Sequence, residues 1–239
     1  MDAGSSTLAG RVIAIAGAGG SLGPSVVRRL APAGGHLCLC GRDASSLEAL
    51  AEETPGTIEV DVVDLVDQDA ATRWADELAE QVGRVDALVH LVGGWRGGTP
   101  IEESPRDDWD VLHASLILTL QNVTRAFTPH LLASGRGRFV VVSAGQAQAP
   151  THTNAAYAAA KAAAEAWVLA LADRFRGSGA TANIVVVGSI VTPDMRAESP
   201  DKDFSRATPA ETIAEAIAYL CSDAAAPMNG QRLTLRGAA

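Results

Sequence analysis

Seven short apolar runs, at 12–16, 36–40, 57–60, 87–92, 138–142, 183–187 and 232–235, recur along the chain. Between them lie segments whose apolar residues repeat with a helical period, at 25–30, 45–53, 70–82, 107–132, 155–175 and 210–221. Strands joined by helical segments pair in parallel through crossovers, and strands that are apolar almost throughout are covered on both faces. The expected fold is therefore α/β: a doubly wound, Rossmann-like domain around a mostly parallel sheet of about seven strands. The cadence runs on without a Pro/Gly/Ser-rich linker, so 1–239 reads as one domain, with residues 1–9 expected to be flexible.

The totals narrow the partners. With 239 residues, 47% of them hydrophobic and 20% charged, the chain can bury a sizeable core. A formal charge of −9 argues against nucleic acid or an anionic membrane as a general partner. No uninterrupted apolar run approaches the roughly 18 residues that span a bilayer, and the N-terminus lacks a basic region, so a cytoplasmic protein is expected. Of the three cysteines, Cys38, Cys40 and Cys221, the first two alternate along one strand and read as buried thiols; the pair supplies no complete zinc ligand set, and no metal is expected.

The first strand runs directly into A-G-A-G-G-S-L-G at 16–23, followed by Pro24 and a helix. Glycines here permit a tight turn and close backbone approach to a pyrophosphate, and the helix N-terminus offers free N–H groups to it. Gly17, Gly20, Ser21, Leu22 and Gly23 are the candidate dinucleotide contacts, a merely tight turn being the other reading. The second strand ends C-L-C-G-R-D, without the acid that usually reads an adenosine ribose. Arg42 stands there instead and suits a 2′-phosphate, which favours NADP(H) over NAD(H); a solvated surface arginine is the alternative.

N-A-A-Y-A-A-A-K, at 154–161, is a strong helix former, and it contains one of only two tyrosines four residues before one of only two lysines. That spacing places both side chains on one helix face. A phenol titrates near 10 and works best as an acid/base when brought towards neutrality; a neighbouring ammonium does this by stabilising the phenolate. A solvent-facing alanine helix is the plainer reading.

Together, the glycine turn and the Tyr157/Lys161 pair resemble the short-chain dehydrogenase/reductase family over about 11–237. The resemblance implies a nicotinamide cofactor and hydride transfer to or from a carbonyl or secondary alcohol, with Tyr157 as acid/base and Lys161 also holding the nicotinamide ribose. It assigns the catalytic serine to Ser143, which closes V-V-V-S, and further cofactor contacts to Asp61, Val62, Gly93, Gly188, Ile190 and Thr192. The chain departs from the family pattern in several places. Its glycine spacing is that of the extended and atypical branches. The family's Asn-Asn-Ala-Gly becomes H-L-V-G at 90–93, and Val187 replaces a proline. The catalytic asparagine of the long helix is replaced near Ser115 or Leu116. Ser143 precedes Tyr157 by 14 residues, where the commoner 13 selects Ala144.

Trp95, Gln146 and His152 are the candidate substrate contacts, with an ordinary exposed loop histidine as the other reading of His152. His113 reads as a packing or interface residue, and 194–206 as a substrate lid or a plain surface connection. Family resemblance and the Ala-rich stretch 155–172 imply a homo-oligomer, dimer or tetramer. Two alternatives to an oxidoreductase remain open: a catalytically impaired nucleotide-binding scaffold, and a non-redox lyase, isomerase or cyclase on the same fold.

Overall fold

The computed structural model describes residues 8–237. In chain order the elements are β1 (Val12–Ala16), α1 (Gly23–Leu30), β2 (His36–Gly41), α2 (Ala44–Glu53), β3 (Thr57–Val62), α3 (Gln68–Val82), β4 (Ala87–His90), α4 (Arg106–Leu112), α5 (Thr119–Ala133), β5 (Arg138–Ala144), α6 (Ala155–Arg174), β6 (Thr181–Val187), β7 (Ile190–Val191), α7 (Pro193–Glu198), β8 (Thr208–Pro209), α8 (Ala210–Cys221) and β9 (Arg232–Thr234). Seven strands form one parallel sheet in the order β3-β2-β1-β4-β5-β6-β9, and β7 pairs with β8 in a separate parallel ribbon. The order reverses between β1 and β4, the switch point where open α/β sheets bind ligands at the carboxyl ends of their strands.

Alternate strand residues feed two cores. Ala14, Cys38, Phe139 and Ile184 meet Trp74, Phe127 and Val168 of α3, α5 and α6. Ile13, Leu37, Val140 and Val185 meet Val26, Leu47 and Ile217 of α1, α2 and α8. Trp74 and Phe127 pack edge to face with centroids 4.7 Å apart. The three cysteines are buried and unpaired, and burial raises all three thiol pKa values.

Three features modify the expectation. Residues 1–7 lie outside the described residues, but Leu8, within the opening expected to be flexible, is fully buried and its N–H donates to the Ala33 carbonyl. The helix expected at 107–132 is broken into α4, a π-helical turn His113–Leu118, and α5. Ser115 Oγ donates to the Val111 carbonyl at 2.8 Å and Thr119 Oγ1 to the Ser115 carbonyl at 2.7 Å, side-chain bonds that accompany such distortions. Helix α6, at 20 residues and with a window of mean hydropathy 1.2, is long and apolar enough to cross a membrane by length and composition. Lys161 and Glu165 interrupt it, and it packs on β5 and β6.

At the amino ends of β1, β4 and β5 lies a buried ionic cluster. Asp86, fully buried, accepts from the Val12 N–H (3.0 Å), Arg84 Nε (2.9 Å), Ser134 Oγ (2.7 Å) and Arg136 Nε (3.1 Å). Arg138, 1% exposed, donates to the carbonyls of Gly137, Gly179 and Ser222. Arg11, equally buried, pairs with Asp223. These groups tie three strand entries together on the edge opposite the ligand edge.

Candidate active site

The glycine turn is tightly specified. Gly17 has φ +84°, and a Cβ there would stand 2.8 Å from the Val92 nitrogen. At Gly23 a Cβ would lie 1.7 Å from the Ala18 carbonyl oxygen, so only glycine lets α1 start this close to the turn. Leu22 caps α1 without a side-chain hydrogen bond, and Pro24 removes an N–H that the first turn cannot use, which leaves the helix start open to an anion.

Gly17 and Gly20 open onto a cleft of about 660 Å³, with Arg42, Val92, Gly93, Trp95, Ser115 and Thr119 among its other walls. This volume is ordinary for a cofactor or ligand site. Arg42 is exposed at its edge and has no hydrogen bond or ion pair among the described residues. Two expected adenine contacts sit differently. Asp61 accepts from Trp74 Nε1 at 3.0 Å, and Val62 is exposed; the wall is built instead by Val63, Asp64, Leu65 and Val66. Burial raises the Asp61 pKa, and the indole hydrogen bond opposes that rise.

Tyr157 and Lys161 lie one turn apart on α6, with Lys161 Nζ 5.9 Å from the centre of the Tyr157 ring. Lys161 Nζ donates to the Val142 carbonyl at 2.9 Å, which fixes the ammonium at the end of β5. Burial lowers the Lys161 pKa to about 8, against the opposing pull of Glu165. Burial also raises the Tyr157 pKa, opposite to the lowering expected from a neighbouring ammonium. The Tyr157 ring packs on a small cluster of Leu112, Leu116 and Ala160.

Ser143 faces elsewhere. It is 3% exposed, and its hydroxyl donates to Glu165 Oε1 at 2.6 Å. Glu165 Oε2 accepts from Arg232 Nε at 2.6 Å and Gln148 Nε2 at 3.2 Å. Sequence reasoning missed Glu165, although its spacing from Tyr157 and Lys161 (157, 161, 165) places it on the same face of α6.

Buried His90 approaches Thr119 Oγ1 through Nε2 at 3.4 Å, while its Nδ1 has no partner among the described residues. Burial and the Lys161 charge lower its pKa to about 3, so the ring is neutral. Leu116, 3% exposed, stands against Gly93: a Cβ on that glycine would meet its side chain at 3.1 Å.

Among the candidate substrate contacts, Trp95 is 55% exposed at the cleft wall. Gln146 holds a buried, unpartnered Oε1 beyond β5, and His152 is exposed in the loop before α6. Gly188 lines a second depression of about 430 Å³ with Gly145, Arg206 and Arg236. Ile190 pairs with Thr208, and Thr192 caps α7 by accepting the Met195 N–H at 3.2 Å. His113 stacks on Trp109 at 6.2 Å. One trio among the described residues, His36, Cys38 and Glu59 on β2 and β3, brings metal-ligand atom types within 4.8 Å of one another. Within it His36 Nε2 and Glu59 Oε1 already pair at 2.8 Å.

A family model described as enoyl-(acyl carrier protein) reductase matches residues 17–237. A gluconate 5-dehydrogenase of Gluconobacter oxydans is 28% identical, over 97% of this chain and 95% of that protein. Sulfoacetaldehyde reductase 2 of Chromohalobacter salexigens is 31% identical, over 87% of each chain. The solved structure of a gluconate 5-dehydrogenase from Burkholderia cenocepacia, in complex with NADP and tartrate, superposes with a TM-score of 0.85 at 25% identity, covering 97% of this chain and 95% of that one.

Proposed function

This chain belongs to the short-chain dehydrogenase/reductase family, and from that premise we propose that it transfers hydride between NADP(H) and a small carbonyl compound or its alcohol. The observation that carries the reading is the Tyr157/Lys161 pair, with the ammonium held on the Val142 carbonyl and the ring 5.9 Å away. NADP(H), when bound, supplies the hydride. The glycine cradle and the uncapped start of α1 fit its pyrophosphate and Arg42 its 2′-phosphate; family membership assigns Gly93, Gly188, Ile190 and Thr192 to its nicotinamide half, Gly188 opening on the second depression.

Tyr157 gives its proton to the carbonyl oxygen, and the Lys161 ammonium stabilises the phenolate left behind. Ser143 acts through Glu165 rather than on the substrate, because its hydroxyl is already committed to that carboxylate. Trp95, Gln146 and His152 lie in the loops that meet the substrate, and relatives named for gluconate and sulfoacetaldehyde make small polar carbonyl compounds the first class to try. Assembly into a dimer or tetramer belongs to the same reading: Ala159, Ala162, Ala163, Ala166 and Ala170 leave a flat exposed face on α6, beside exposed Trp109 and Val111 on α4.

Arg42→Ala tests the cofactor half. Loss of a guanidinium–phosphate contact is expected to weaken NADPH binding about tenfold and to leave NADH binding within about twofold. Fluorescence titration of both nucleotides reads it; equal weakening of the two, or no change in either, contradicts the assignment. A specific observation favours a second reading, an impaired nucleotide-binding protein: Leu116 and the committed Ser143 remove two polar groups from the reacting centre. Tyr157-dependent turnover of any carbonyl excludes it.

A further inference from the structure

Glu165 is a carboxylate 2% exposed in the middle of an apolar helix, and such a group survives burial only when paired and hydrogen-bonded. Its partners come from three separate elements: Ser143 on β5, Gln148 in the following turn and Arg232 on β9. It stands one helical turn beyond Lys161, as Tyr157 stands one turn before it.

We propose that Glu165 is the buried counter-ion of Lys161, a positioning residue that keeps the ammonium charged beside Tyr157, with Ser143, Gln148 and Arg232 holding the carboxylate in place. This rests on the assignment of Tyr157 and Lys161 as the acid/base pair. Glu165, Lys161 and Arg232 together carry one net positive charge, the sign that favours a phenolate at Tyr157. Other groups on the elements around α6 oppose or ignore the pair. His90 of β4 is neutral, through its burial first and the Lys161 charge second; His113 of the π-helical turn stacks on Trp109; β5 offers Lys161 a backbone carbonyl. Without Glu165, burial acts on the ammonium unopposed and lowers its pKa further.

The chain has two lysines, so lysine labelled with carbon-13 at Cε gives two resonances, and the Lys202→Arg variant assigns them. In the protein without ligands, the Lys161 signal is expected to titrate at about 8. Glu165→Gln should lower that midpoint by about one pH unit, Glu165→Asp should restore most of the shift, and Arg232→Gln should raise the midpoint. Opposite signs from the two partners of one ion pair distinguish a charge effect from disruption of the fold. An unmoved midpoint in Glu165→Gln, or a fall in both Glu165→Gln and Arg232→Gln, overturns the proposal. If the signs hold but Tyr157→Phe reduces carbonyls at the wild-type rate, the counter-ion stands and the acid/base assignment falls.

Discussion

Replacing Tyr157 with phenylalanine should slow carbonyl reduction on the order of 10²- to 10⁴-fold, the usual contribution of a positioned general acid. The variant removes one oxygen and keeps the ring that packs on Leu112, Leu116 and Ala160, so the wall of the cleft survives. NADPH affinity should stay within about threefold, because the glycine turn and Arg42 are untouched; the loss then lies in turnover rather than binding. Steady-state kinetics with a panel of small aldehydes, ketones and keto acids, alongside fluorescence titration of NADPH, separates the two. Wild-type turnover in Tyr157→Phe removes the tyrosine from the chemistry.

The second large effect is on stability. Asp86→Ala should destabilise the fold by about 2–4 kcal/mol, the cost of leaving two donors at the strand entries without their acceptor. Four donors converge on this fully buried carboxylate, two of them guanidinium groups. Its loss leaves the Val12 N–H and Ser134 hydroxyl unpaired at the strand entries and takes the carboxylate partner from Arg84, while Arg136 keeps Asp223 at 4.0 Å. Urea unfolding at one fixed protein concentration measures the difference and keeps any assembly constant between the variants. A loss below about 1 kcal/mol would place the cluster among weak surface pairs.

Much of the architecture was legible because strand and helix periods differ. The apolar runs at 12–16, 138–142 and 183–187 fall on β1, β5 and β6, and the Tyr157–Lys161 spacing falls on α6. Gly17 and Gly23 were legible for a related reason, since a turn that tolerates no Cβ leaves a mark in the sequence. What stayed hidden depends on contacts between distant residues. Nothing near Arg11 or Arg138 in the sequence marks the pairing with distant Asp223 that the sheet brings about. Asp61 looks like an adenine contact until Trp74, 13 residues later, claims its carboxylate. Ser143 looks like a substrate contact until Glu165 takes its hydroxyl. The break at His113–Leu118 is invisible in an apolar pattern, because one extra residue in a turn leaves the flanking helical periods intact.

The central claim is that hydride passes between nicotinamide and a carbonyl carbon under proton donation from Tyr157. Its most direct test is reduction of the carbonyl panel with NADPH carrying deuterium at C4 of the reduced ring, prepared separately in each of the two C4 configurations. The account predicts that one of the two labelled cofactors delivers deuterium to the carbinol carbon of the product, read by mass spectrometry, and that Tyr157→Phe forms that product at a small fraction of the rate. Product formed without label from either cofactor, or no NADPH-dependent reduction anywhere in the panel, would contradict it.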